Sequence, residues 1–230
     1  MKTVFKLCLF VWVTSSNAQS PTRVILSSGS VNNYQYELFS TKKTINPIYT
    51  DLSQVKNESI ERLMSSILCA NNQAWVNFNT LGGAKNAEQK TPTDFDRISN
   101  RNNEKTYFEL ISKLSFESAG QYLTIIKFRL YLEQYPKGIS GAYQLQKVGD
   151  RWFKISRSDL SNMALMMVFF KADILRDIIA GKKTTKLLTD ELIAKVYDQN
   201  GLDIQKLYKE FTSWENDKTK ANYFLEPTGW

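Results

Sequence analysis

Between Gln121 and Gln134 the side chains alternate in character with a period of two. Ile126, Phe128, Leu130 and Leu132 fall on one face, and Lys127, Arg129, Tyr131 and Glu133 fall on the other. Neighbouring side chains of a strand point to opposite sides, so the stretch reads as a long strand with one apolar and one polar face. Pro136-Lys137-Gly138 then makes a turn. Ile139 to Val148 and Arg151 to Ser156 read as two further antiparallel strands joined at Gly149-Asp150. Gly141, inside the middle strand, marks a bulge or bend.

Helical patterns flank this meander. An amphipathic helix is expected from about Glu58 to Asn71, with Asn57 as N-cap and Glu58 and Glu61 at the positive end of its dipole. Asn71-Asn72 breaks it, and a short second helix from Gln73 to Leu81 carries Trp75, Val76 and Phe78. Gly82 to Asn103 is polar and charged and is the longest expected loop. Tyr107, Phe108, Leu110, Ile111 and Leu114 restart a helical period. Upstream, Val24-Ile25-Leu26 suggests a loop or edge strand, and Tyr34, Tyr36 and Leu38 suggest a short half-exposed strand. Downstream, a long helix is expected from its N-cap Ser158 to about Ala180. Its segment Met163–Phe170 is apolar nearly all round, so it is buried against the sheet or a partner. Helices over about Asp190–Gln199 and Asp203–Glu215 and a docked aromatic tail (Tyr223-Phe224-Leu225 and Trp230) complete an α+β chain.

The N-terminus reads as an address. Met1-Lys2 and Lys6 are basic, Leu7 to Val13 is apolar, and Thr14-Ser15-Ser16-Asn17-Ala18 ends in small or polar residues with Ser16 and Ala18 at cleavage-site positions. A signal peptide over 1–18 is expected, with a mature chain starting at Gln19 in the periplasm or outside the cell. The apolar run is too short for a membrane span, and no other stretch comes close. Removing Lys2 and Lys6 lowers the formal charge from +7 to +5. Such a mild excess suits an ordinary Lys-rich surface, with anionic envelope material as the alternative. The 42% apolar and 13% aromatic content is enough to fill a core. Cys8 leaves with the signal segment, so Cys69 has no intrachain partner, and its apolar helical setting marks it as a buried thiol. Asn57-Glu58-Ser59 matches a glycosylation sequon.

The chain contains no histidine. Ser-His-Asp and Cys-His catalysis, HExxH metal sites and other His-based metal sites are thereby excluded, and one mature cysteine excludes a Cys-rich zinc site. There is no phosphate-binding glycine motif and no basic stripe with interleaved aromatics, so nucleic acid is not an expected partner. No cofactor and no metal are expected. The remaining chemistry is carboxylate and tyrosine chemistry. Asp94-Phe95-Asp96 is a weak cation motif, and Glu117 with Glu133 a nominal acid pair. The polar strand face lines a cleft or is a solvent-facing sheet surface with cross-strand ion pairs.

Two stretches carry a family resemblance. Residues 58–68, followed by Cys69-Ala70-Asn71-Asn72-Gln73-Ala74-Trp75, look like the opening helix and aromatic break of the nuclear transport factor 2-like superfamily. Residues 140–155, with their Gly149-Asp150 turn and Trp152-Phe153-Lys154-Ile155 strand, resemble its closing hairpin. The likeness spans about residues 50–157. It implies a cone, in which a curved antiparallel sheet wraps N-terminal helices around a pocket and often mediates dimerisation, with residues 158–230 as a helical extension on the domain 19–157. No catalytic residue of the family maps onto this chain.

The leading functional expectation is therefore an exported, non-enzymatic domain that binds a small ligand or an envelope or extracellular protein. Lys127, Arg129, Tyr131, Glu133 and Tyr143 are its candidate contacts. One rival is a pocket isomerase, dehydratase or hydrolase using carboxylate or tyrosine acid–base groups, which needs a buried, unpaired acid facing Tyr131 or Tyr143. The other is a structural assembly protein built on the C-terminal helices.

Overall fold

The computed structural model describes residues 23–26, 29–31, 33–181, 190–199 and 201–214. The expected signal segment and the aromatic tail lie outside the described residues. The elements run β1 (Val24–Leu26), β2 (Gly29–Val31), β3 (Tyr34–Ile45), α1 (Ile60–Cys69), α2 (Gln73–Asn79), α3 (Pro92–Ser99), β4 (Tyr107–Ser118) and β5 (Gln121–Leu132). They continue with β6 (Tyr135–Val148), β7 (Arg151–Ile155), α4 (Ser158–Phe169), α5 (Ala172–Ile179), α6 (Asp190–Val196), β8 (Tyr197–Asp198), β9 (Gly201–Asp203) and α7 (Ile204–Trp214). The chain is a mixed α+β structure. Strands β3-β4-β5-β6-β7 form an antiparallel sheet in sequence order, and β2-β1-β9-β8 form a smaller one in which β1 and β9 are parallel.

The five-stranded sheet has apolar side chains on both faces. On one, Leu114, Phe116, Leu123 and Ile125 join Met163, Met166, Met167 and Phe170 from the α4 segment and Ile174, Leu175 and Ile178 of α5. That cluster continues through Val24, Leu26, Leu202 and Leu207 of the small sheet and α7. On the other, Phe108, Leu110, Ile126, Phe128, Leu145 and Trp152 meet Leu63, Met64 and Leu68 of α1. Each fully buried aliphatic or aromatic side chain of this kind contributes about 1.5–3 kcal/mol of transfer free energy.

Double-sided burial explains the largest departure from the sequence expectation. Residues 107–118 form a strand, not a helix: Phe108 and Leu110 face one cluster, Leu114 and Phe116 the other. A register shift between Leu110 and Ser112 moves the alternation by one residue, which is what imitates a helical period. The expected long helix from Ser158 divides at Phe170, whose backbone is extended and whose carbonyl accepts a hydrogen bond from the buried Lys127 Nζ at 2.6 Å. The expected loop from Gly82 contains α3, opened by Pro92 and by a capping box between Thr91 and Asp94. Helix α6 ends at Val196, because Tyr197-Asp198 pairs with β9 instead. Ser59, not Asn57, caps α1 by accepting from the Arg62 amide. Gly141 sits in unbroken register opposite Phe128, whose ring would lie 2.7 Å from a Cβ there, so its role is close approach and not a bulge.

Candidate functional site

The cluster beside α1 does not fill its face of the sheet. Toward the β4–β5 and β6–β7 ends nearest α2 and α3 it opens into a cavity of about 610 Å³. Ile67 and Leu68 of α1, Val76 of α2 and Phe108, Leu130, Leu132 and Tyr143 of the sheet supply the apolar wall. Polar groups come from the chain between α2 and β4 and from the β5–β6 turn: Glu88, Lys90, Asp94, Arg97, Arg101, Glu133 and Tyr135. Lys154 of β7 completes the lining.

Local structure fixes these walls. The Leu81 amide donates to the Lys154 carbonyl at 3.0 Å, and Thr80 bridges the same residue, so the end of α2 is pinned to β7. Helices α1 and α2 are locked by a buried polar chain. Trp75 Nε1 donates to Ser66 Oγ at 2.8 Å, Ser66 Oγ donates to Asn79 Oδ1 at 2.7 Å, and Asn57 Nδ2 donates to the same oxygen at 2.9 Å. Asn57 holds a positive φ of 54° and is fully buried, so the sequon around it has no exposed acceptor in the folded chain. Asn79 lines the cavity, and its Nδ2 has no hydrogen-bond partner among the described residues. Turning both amides over would only exchange which atom of each is left unpaired. Helix α3 is held more lightly. None of its residues is buried, and it presents Asp94, Arg97 and Ile98 to the cavity at helical spacing.

Most of the charges around the cavity are paired. Arg97 lies 4.0 Å from Asp94, which also accepts from the Thr91 hydroxyl at 2.8 Å. Glu133 accepts from Lys105 at 2.7 Å. Arg101 donates to the Leu68 carbonyl at the end of α1. One triangle is less settled. Lys154 Nζ lies 3.9 Å from Glu88 and 4.9 Å over the ring of Tyr143. Burial holds the Lys154 ammonium below the usual lysine range, while Glu88 opposes that shift and Lys90 adds to it. Burial, reinforced by the Glu88 charge, pushes the Tyr143 phenol up to about 12, so it keeps its proton at every ordinary pH. The same triangle borders a second hollow of about 460 Å³, and Lys154 stands between the two.

Of the residues singled out in the sequence, Glu133 and Tyr143 reach the cavity. Lys127, Arg129 and Tyr131 do not. Lys127 is fully buried beneath Phe170, on the face covered by α4 and α5. Tyr131 stacks on Tyr107 with ring centroids 4.6 Å apart, under Lys42. Arg129 packs its stem over Gly138. The cavity is on the apolar face of β5, and its polar groups come from loops. Lys90 and Lys154 carried no pattern in the sequence that marked them. The nearest signal was the polar composition of residues 82–103 and a lysine amid the apolar Trp152-Phe153-Lys154-Ile155 strand.

The other chemical candidates separate in space. Glu117 pairs with Tyr122 at one end of β5 and Glu133 follows its other end, so ten residues of strand, about 33 Å, lie between them. A glycosidase pair needs about 5–10 Å. Asp94 is engaged as the α3 cap, and the described residues contain no cluster of metal-ligating side chains. Cys69 is buried, with an Arg101 nitrogen 3.7 Å from its sulfur. Asp177, the buried acid among the described residues, pairs with Arg176 on α5, away from the cavity. Among the described residues, no helix is long and apolar enough to cross a membrane.

No protein-family model, curated protein or solved structure matches the chain.

Proposed function

We propose that this chain is an exported binding protein that holds a small molecule between α1, α2, α3 and the five-stranded sheet. The observation that carries the proposal is the cavity itself. A cleft of about 610 Å³, open to solvent on one side and bounded by an apolar wall and polar groups, is the size and make-up of a ligand pocket. In this proposal the sheet and N-terminal helices form a cone like that of the nuclear transport factor 2-like superfamily, and α4 and α5 cover its opposite face. Glu133 and Tyr143 contact the ligand, and Lys127, Arg129 and Tyr131 serve the fold. The basic, apolar and small-residue pattern over residues 1–18, which reads as a signal segment, supports a periplasmic or extracellular setting.

An acid–base enzyme ranks below this. The acid whose charge acts on Tyr143 is Glu88, whose side chain is 63% exposed and lies 3.9 Å from Lys154, so it is neither buried nor unpaired as that chemistry requires.

The test is native mass spectrometry of the chain purified from its own compartment, beside a Leu130→Trp variant that fills the cavity. The expected result is one added small-molecule mass per chain that the variant loses. A chain that carries no adduct, and that takes up none from a lipid and metabolite extract, would sink the proposal and leave a protein partner as the better account.

A further inference from the structure

We propose that the ligand is an anionic amphiphile: an apolar body seated against Leu130, Leu132 and Phe108, with its acidic head between Lys90 and Lys154. This rests on the cavity being a ligand site and adds the charge and shape of what it takes.

The case begins with charge pairing. Arg97 faces Asp94, Glu133 faces Lys105, and Arg101 caps the carboxyl end of α1. These groups are satisfied without a ligand. Around Lys154 the balance is different. Lys154 has Glu88 3.9 Å away, at the outer limit of an ion pair, and feels the like charge of Lys90, which also acts on Asp94, so Lys90, Lys154 and Arg97 meet two carboxylates, Glu88 and Asp94. Lys90 forms no salt bridge with a described residue, although Asp94 feels its charge, and its backbone amide is fixed by Gln73 Oε1 at 3.1 Å. A net positive charge therefore remains at the edge of an apolar space, where an unpaired charge is costly and an anion is attracted.

The neighbouring phenol fits the same role. Tyr143 keeps its proton, and no described residue hydrogen-bonds its hydroxyl, so it is a donor available to an acceptor beside Lys154. Two ammoniums and a phenol O–H form a donor-only set suited to a carboxylate, sulfonate or phosphate oxygen. A cationic ligand would meet these donors and no spare acid except Glu88. A neutral apolar one would leave the charge imbalance as it is.

Two fluorescent probes with the same aromatic body separate the claims: 8-anilinonaphthalene-1-sulfonate and its uncharged analogue N-phenyl-1-naphthylamine. Titrations use the chain beginning at Gln19, with thermal unfolding of every variant as the check on folding. One sulfonate probe should bind per chain, about tenfold or more tighter than the neutral one, as expected for charge-assisted hydrogen bonds. Lys90→Met and Lys154→Met should each remove most of that preference without weakening the neutral probe. Glu88→Gln, an exposed change that leaves the fold intact, should strengthen sulfonate binding. Equal binding of the two probes, or a preference untouched by all three variants, would overturn the anionic head while keeping the cavity as a site. If neither probe binds, and Leu130→Trp changes nothing, both the head and the cavity proposal fall.

Discussion

The two faces of the five-stranded sheet start from similar side chains and end differently. Beneath α4 and α5, Leu123, Ile125, Met163, Met166, Met167 and Leu175 pack with essentially no exposure, and even a lysine is enclosed there. On the α1 side, Ile126, Leu145, Leu63 and Met64 pack as tightly, but the layer stops short and leaves a cavity walled by Leu130, Leu132 and Tyr143. The difference lies in what covers the sheet. Helix α4 is apolar over most of its surface and α5 buries an apolar face, whereas no residue of α3 is buried. A face closed by apolar helices becomes core; a face closed by a lightly held polar helix keeps usable space. The low packing of α3 also makes it the wall most able to open locally.

Truncations should break this symmetry most sharply. Ile125→Ala, on the filled face, should cost about 2–5 kcal/mol in chemical denaturation, because it removes a fully enclosed side chain and leaves a hole. Lys127→Ala should cost about 2–4 kcal/mol, since the Phe170 carbonyl loses its donor and the stem leaves a void. A variant as stable as the parent would mean that the lysine is not holding the α4–α5 junction. Asn79→Ala, between the cavity and the α1–α2 contact, should cost about 1–3 kcal/mol by stranding Asn57 Nδ2 and the Ser66 hydroxyl. Leu132→Ala, which only enlarges existing space, should change stability by less than about 1 kcal/mol. Equal costs for Ile125→Ala and Leu132→Ala would erase the contrast between the faces.

The smallest effect is a pH dependence. Lys154 is faced by Glu88 and Lys90 from the chain before α3 and by Tyr143 from β6, and its folded-state pKa is lowered. The folded chain therefore releases this proton more readily than the unfolded chain. Its contribution should improve as pH rises from that lowered value toward the unfolded value near 10.4, and worsen as pH falls below it. Denaturation curves of the parent and Lys154→Met across that window should converge as pH rises. A difference independent of pH would show that the lysine is not strained by burial.

The alternation in β5 and the hairpin at Gly149-Asp150 were readable in advance, because strand side chains alternate strictly and Gly-Asp is a strong hairpin signal. The turn expected at Pro136-Lys137-Gly138 was misplaced: the chain reverses at Glu133-Gln134, and those three residues lie inside β6. Strand β4 was not. Its two buried faces and its register shift leave no clean period. Helix α3 was hidden among polar residues, although Thr91, Pro92 and Asp94 spelled its start. The polar face of β5 pointed toward Lys127, Arg129 and Tyr131, yet a sheet face cannot be known as open or covered until the helices that pack on it are placed. Lys127 shows the consequence, because it looks like a surface lysine in the sequence and is the cap of a helix end in the fold. Glu133 was singled out with that same polar face, yet it lines the cavity because it lies in the turn beyond the end of β5, while Tyr143 lines it from the apolar face of β6 opposite Ile126.

The most direct measurement is a crystal structure of the chain purified from its native source. The account predicts non-protein density enclosed by Leu130, Tyr143 and Lys154, with the face beneath α4 and α5 closed. If instead α3 has moved inward and Phe95 and Ile98 fill that space, the contrast between a filled face and a binding face is contradicted.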